Sequence, residues 1–290
     1  MSGAKCVSQF LRFGYFPTIA VGVNGLAIAA IFSDQAPTTV AIEILACMAF
    51  ALAFSFAAER VIPYNREWNV SHGDVSRDLT HFLVNESMSI FPLLAIPIFV
   101  TAMPTANLGF WPTGWPLVLQ LLSALLIFDL AQTLFHQLSH VWTPLWRLHA
   151  VHHQVERMYG LNGILKHPVY QVLSSIVSLT PLVLLGAPKE FSLVLAFLSF
   201  TQLLIQHSNT DHAMGPLRNV FATAVVHRFH HLRGTAGDVN FALFFSFYDR
   251  LFGNAFYEDR DLNSVDIGLA EPGYPVSWWG QMLAPFRKIA

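Results

Sequence analysis

Residues 136–153 read HQLSHVWTPLWRLHAVHH, and five of these eighteen positions are histidine: His136, His140, His149, His152 and His153. On a helix, positions i, i+3 and i+4 share a face. The spacing therefore projects His136 with His140, and His149 with His152 and His153. His227, His230 and His231 repeat the second spacing, H-x2-H-H, later in the chain. Neutral imidazole is the commonest metal ligand among side chains and suits iron, copper, zinc and nickel. Eight such histidines exceed what one ion coordinates, so the pattern calls for a dinuclear site. Core packing has no use for repeated imidazoles at helical spacing. His72 and His81 stand alone and read as structural.

The elements that must position these residues follow from the surrounding pattern. Thr143-Pro144 reads as a helix stop and restart, with Thr143 as N-cap and Pro144 in the first helical position, so that the second helix folds back on the first. The chain of 290 residues is 54% hydrophobic and 12% charged, with mean hydropathy +0.48. That balance suits a membrane rather than an aqueous domain. Net charge is -2 and the basic residues are scattered, which excludes a nucleic-acid partner. Cys6 and Cys47 have neither disulfide-framework nor metal-ligand spacing.

Apolar runs at 15–33, 40–58, 87–103 and 117–135 predict about four transmembrane helices, the last leading straight into His136. Ala27-Ile28-Ala29 offers a competing signal-peptide cleavage site, but a second apolar run follows at once and makes a retained hairpin the better reading. Residues 59–85 read as an interfacial loop with Tyr64 and Trp68 at headgroup level. Runs at 169–187 and 191–206 predict a shorter apolar hairpin, re-entrant or tilted. The expected fold is thus all-α and polytopic, a single domain over 1–290 with a helical cap carrying the histidines. Threading the runs from a cytoplasmic N-terminus puts fifteen of the sixteen Lys and Arg on the cytoplasmic side, with only Lys189 opposite. The same threading puts every histidine cluster on the cytoplasmic face.

Asp129 lies two helical turns before His136 inside an apolar run, where an unpaired carboxylate is costly. The spacing predicts that it accepts a ring N–H from a ligand histidine. Glu43, also within an apolar run, has no such placement near the site.

The ordered series H-x3-H, H-x2-H-H, K-H-P, H-S-N, H-x2-H-H and D-R-L-F-G, over about residues 125–257, resembles the fatty acid hydroxylase/sterol desaturase superfamily of integral-membrane di-iron oxygenases. The resemblance implies that His207 of H-S-N is a ninth ligand and that His167 of K-H-P is a ligand or supports one. It also implies that Asp238, Asn240, Asp249 and Arg250 belong to closing elements that support the third cluster. His212 falls where the family is usually apolar and reads as a solvated loop residue. Departures are His167-Pro168-Val169-Tyr170 for H-P-x-E, Ala224 for a proline, and Asn240-Phe241-Ala242 for N-F-G. None removes an expected ligand.

Iron also suits the chemistry better than zinc, which has no redox role and is usually held by about four ligands. The implied activity uses two iron ions, dioxygen and a separate electron-transfer protein to hydroxylate or desaturate a C–H bond of a lipid, sterol or other amphiphile. A non-enzymatic membrane metal-binding or transport protein is the alternative. A zinc hydrolase is disfavoured because no cluster carries the Glu of H-E-x-x-H.

Overall fold

The computed structural model describes residues 3–102 and 108–287. Met103 and the first residues of the Pro- and Trp-rich connection lie outside that range. The described residues form helices without strands, apart from two isolated bridges, Pro63 with Thr210 and Leu232 with Ile267.

The long helices are α1 (Gly3–Pro17), α2 (Asn24–Ile31), α3 (Pro37–Val61), α4 (Val75–Ala102) and α5 (Leu117–Val141), then α7 (Pro168–Leu185) and α8 (Lys189–His207). A π-helical turn, Thr18–Val23, joins α1 to α2 into one rod. Pro17 sits at the junction, where its missing N–H and its ring disturb the ordinary hydrogen-bond ladder. Among the described residues, five stretches are long and apolar enough to cross a membrane: Lys5–Ile31, α3, α5, α7 and α8. The protein is an integral membrane protein.

The arms alternate in direction. Phe32 at the end of α2 and Trp111 before α5 both pack on Phe191 at the start of α8, and the Trp111 N–H donates to Leu185 O at the end of α7. The opposite end gathers Glu59 of α3, His81 of α4, His140 of α5 and His207 of α8. Of the apolar hairpin, α7 is 18 residues long and α8 is 19. Burial separates α8 from the other spans: 72% of its apolar window is covered by protein, against 11% for α3. It is therefore the central post of the bundle, which explains why its inner face tolerates Thr201, Gln202 and Gln206.

The loop expected over 59–85 is much shorter. Helix α3 runs on to Val61 and α4 already begins at Val75. The polar first half of α4 is helical because its polar side chains find partners in the cap. The Tyr159 hydroxyl donates to Asp78 (2.6 Å), and Asn85 Nδ2 donates to Ile164 O and Lys166 O. Trp68, expected at headgroup level, is fully buried instead. It packs with Val151, Leu165, Leu262 and Ile267, and its Nε1–H donates to Ser264. The cap thus has an apolar core of its own, separate from the bundle.

Four short cap helices lie at the site end: α6 (Thr143–His153), α9 (Ala224–His227), which continues as a 3-10 turn over Arg228–His231, α10 (Ser246–Phe252) and α11 (Trp278–Leu283). Pro144 lies in the first turn of α6 as expected, but the N-cap is Trp142 rather than Thr143, and no side chain caps the helix.

Candidate metal centre

Each histidine is delivered by an element end. The last two turns of α5 present His136 and His140, and α6 doubles back with His149, His152 and His153. The final residue of α8 is His207, and α9 with its 3-10 extension brings His227, His230 and His231. Helix α8 comes close enough because residue 163 is glycine: a Cβ there would sit 2.5 Å from Leu203 O and 2.8 Å from His207 Nδ1.

The nine rings assemble into two adjacent groups. His136, His140, His149, His153 and His230 form one, and His152, His207, His227 and His231 the other. Within each group the ligand atoms lie within 4.8 Å of one another. The groups adjoin, with the His153 and His231 ring centroids 4.9 Å apart. The sequence triplets are therefore split. In both H-x2-H-H runs the i, i+4 pair shares one group and the middle histidine joins the other.

Outward nitrogens are held by the protein. Nδ1–H donates to Phe241 O from His136 (2.7 Å), to Leu165 O from His152 (3.1 Å), to Leu203 O from His207 (3.0 Å) and to Val239 O from His230 (2.8 Å). His140 Nδ1 meets Asp238 Oδ1 at 2.7 Å. These bonds fix the tautomers and turn the bare Nε2 lone pairs inward.

His152 Nε2 and His207 Nε2 then face each other at 3.2 Å, both as acceptors, and His231 and His227 Nε2 also lie 3.2 Å from His207 Nε2. Facing lone pairs repel unless a cation lies between them. Neighbouring nitrogens at right angles on an ion with bonds of about 2.1 Å would be about 3.0 Å apart, so the spacing fits a metal. In the five-histidine group, His136 and His153 Nε2 lie 3.0 and 3.1 Å from His149 Nε2, while His140 and His230 Nε2 are buried with no protein partner. Burial first, and neighbouring rings second, hold the pKa values of His149, His152, His153, His227 and His230 well below the ordinary histidine range. Those rings are therefore neutral.

Residues 121–254 match the family model described as fatty acid hydroxylase. The ornithine lipid hydroxylase of Rhizobium tropici is 29% identical over 79% of this chain and 71% of its own length. Residues 121–254, just under half of the chain, thus carry the likeness to the fatty acid hydroxylases. The alkylglycerol monooxygenases of Danio rerio and Homo sapiens are 33% and 30% identical over 56% of the chain. The aligned stretch spans only 34% and 35% of those two proteins. No solved structure matches. By these relationships the protein is an oxidoreductase.

Two expected catalytic residues take other roles in the structure. Asp129 does not receive a histidine N–H. Its carboxylate accepts the backbone N–H groups of Leu243 (3.0 Å), Phe244 (3.0 Å) and Phe245 (2.8 Å). Three converging amides satisfy the charge better than one ring could. These residues closely follow Phe241, whose carbonyl orients His136, so Asp129 steadies the neighbouring backbone of that carbonyl.

His167 belongs to neither group. Its Nδ1 accepts the Val169 N–H as N-cap of α7, and its Nε2–H donates to Met282 O. His167→Ala is expected to lower stability by about 1 kcal/mol, the usual worth of a cap. Metal content should not change, as thermal unfolding and metal analysis of the same sample would show.

The fold also buries His212, which is not solvated. Its Nδ1 lies 2.7 Å from Thr210 Oγ1 and its ring tilts against Tyr15, away from both groups. Burial, then the charge of Arg228, depresses its pKa to about 3. The folded value lies below the unfolded one, so on acidification the unfolded chain takes up the proton first. Stability is full above about pH 6.5 and falls by about 1.4 kcal/mol per pH unit below it. His212→Gln should flatten that decline in melting temperature between about pH 6.5 and 5.

Single histidines divide as well: His72 is exposed, whereas His81 bridges Lys166 O and Gln281 Oε1. Glu43 is half-buried far from the site, with Gln35 as its partner. Asp238, Asn240 and Asp249 support the closing segment as expected. Asp249 accepts the Phe241 and Ala242 N–H groups, and Asn240 binds Val226 O and Phe256 O. Arg250 instead turns to the surface and meets Asn219.

Some supporting residues went unread in the sequence. Glu59 accepts the N–H groups of Gly160 and Asn209, Arg157 clamps Asp74, and Tyr170 lies against His149 with ring centroids 4.7 Å apart. Glu59, Gln132, Gln202 and Gln206 did carry a signal, as polar residues inside apolar helices. The two arginine and tyrosine contacts carried none.

Proposed function

We propose that this protein is a di-iron oxygenase that hydroxylates a membrane lipid, each histidine group holding one iron. The observation that carries the reading is the facing pair of bare Nε2 atoms of His152 and His207 inside a nine-histidine assembly. Two irons so held would supply the redox capacity to activate dioxygen. The overall change takes one dioxygen, two electrons, two protons and a C–H bond to an alcohol and water, with the electrons coming from a separate donor protein.

The chain's own residues position, dry and connect the site. The carbonyls of residues 165, 203, 239 and 241 fix four ring orientations. A cavity of about 20 Å³ beside both groups is lined by Gln132, Lys166, Tyr170, Gln206 and Leu243, which leaves little room for bulk water. Burial lowers the Lys166 pKa to about 8. The amine still lies mostly in its charged form at neutral pH, beside the rings. On the other side, His140 pairs with the part-exposed Asp238 in a cavity of about 200 Å³, a route by which protons reach the site from the cap surface.

In the threaded sequence fifteen of the sixteen basic residues fall on the same side as the histidine clusters, which supports a cytoplasmic placement. Anaerobic loading with ferrous iron tests the reading. About two irons per chain, with lipid-dependent oxygen consumption, is the expected result; fewer than one iron overturns it, and iron without oxygen consumption makes the protein a metal carrier. Mass spectrometry of lipids from cells with and without the gene separates gain of one oxygen atom from loss of two hydrogens.

A further inference from the structure

A second feature of the molecule runs along one face of the α1–α2 rod. Arg12, Phe16, Ala20, Asn24 and Ile28 recur four residues apart, and they line two cavities in succession. Phe16 to Ile28 line an apolar groove of about 380 Å³, closed on its far sides by Leu122 of α5 and Leu198 of α8. Twelve residues of helix make about 18 Å, roughly the depth of one leaflet of a bilayer whose hydrocarbon core is about 30 Å thick. One turn above Phe16, Arg12 enters a polar cavity of about 650 Å³ at the site end. The Phe16–Phe221 ring contact, with centroids 5.1 Å apart, lies at the groove's end next to Arg12.

The polar cavity has a sidedness of its own. Two buried donors line it, Arg228 and His212, and each keeps a nitrogen without a partner, Arg228 Nε and His212 Nε2. The Arg228 guanidinium lies over the Tyr64 ring at 3.8 Å, and its other bonds go to carbonyls, Ser208 O and Thr210 O, rather than to a carboxylate. An anion would complete it. The outer wall carries Glu258, which pairs with Arg260, and beside them Asp259 and Asp261, which suit a cation. The groove also reaches Gln202, whose amide donates to Leu243 O (2.7 Å). Leu243 is also a wall of the small cavity beside the histidines.

We infer that these two cavities form one binding site for a lipid with a zwitterionic headgroup. Its phosphate or carboxylate meets Arg228 and His212, its ammonium meets Asp259 and Asp261, and its chain lies in the groove beside α1 and α2. Taking that lipid as the substrate rests on the function proposed above; the binding site itself does not.

Gly25 allows a clean test, because it lines the groove, a Cβ there meets nothing within 4 Å, and leucine favours the helix over glycine. Native mass spectrometry of the purified full chain, with phosphatidylethanolamine, phosphatidylglycerol and diacylglycerol offered in equal amounts, gives the readout. Wild-type protein is expected to retain phosphatidylethanolamine about tenfold better than the other two. Gly25→Leu should lose that retention at unchanged melting temperature and metal content, and Asp259→Asn with Asp261→Asn should erase the preference over phosphatidylglycerol. Equal retention of all three lipids by the wild type, or undiminished retention by Gly25→Leu, overturns the inference. Iron loading of the wild type is unaffected by either result, so the metal reading stands or falls separately.

Discussion

His207→Ala is expected to reduce bound iron from about two per chain to about one and to bring turnover to background, because His207 is the hub of the four-histidine group. Its Nε2 lies 3.2 Å from the Nε2 atoms of His152, His227 and His231, and it is the residue that ties the central helix α8 to the other two elements. With it gone, three imidazoles remain, a poor set for an ion that must also react. The five-histidine group touches none of the lost atoms and should stay loaded. Metal binding contributes directly to folding free energy, so the melting temperature should fall in iron-loaded protein by more than it falls in metal-free protein. Metal analysis, oxygen consumption and unfolding with and without iron check the three parts. His212→Ala is the control: full iron content is expected, because His212 lies outside both histidine groups. Loss of one iron in that variant would mean that His207 and His212 act together as ligands.

Asp129→Ala should be the most destabilising single change away from the histidines. The carboxylate is buried and accepts three backbone N–H groups on the segment that closes the site. Deleting it leaves three buried donors unsatisfied, and each such group costs about 1–3 kcal/mol. A total of about 3–5 kcal/mol is expected, at the upper end for point mutations. Asp129→Asn keeps one oxygen, which serves Leu243 and Phe244, but it turns an NH2 toward the Phe245 N–H and should recover only part of the loss. Chemical unfolding of both variants measures this. If Asp129 instead worked through a ring N–H, Asn would weaken iron binding while leaving stability nearly intact.

The sequence by itself determined a great deal here, because helical periodicity is local. Four-residue spacing puts His136 and His140 on one face whatever the helix packs against. The ends of apolar runs mark where a polar site can form. Eight histidines, the all-helical membrane class and the gathering of the site at one end of the bundle were legible in this way, and the family resemblance added His207.

Only the tertiary structure decided how the nine divide. His149 and His152 are neighbours on one helix yet face different groups. Which group each joins depends on where α5, α8 and α9 cross α6, and no local pattern records that. Hydrogen-bond partners were hidden for the same reason. Asp129 could be seen to need donors, but the amides that supply them lie more than a hundred residues away in the chain. His167 and His212 showed the opposite limit. Imidazole serves equally as a ligand, a helix cap or a buried acceptor, and its neighbours in space choose among these. Trp68 and the early start of α4 were misread because amphipathic aromatic and polar residues suit an interface, and a cap with its own core converts that interface into interior.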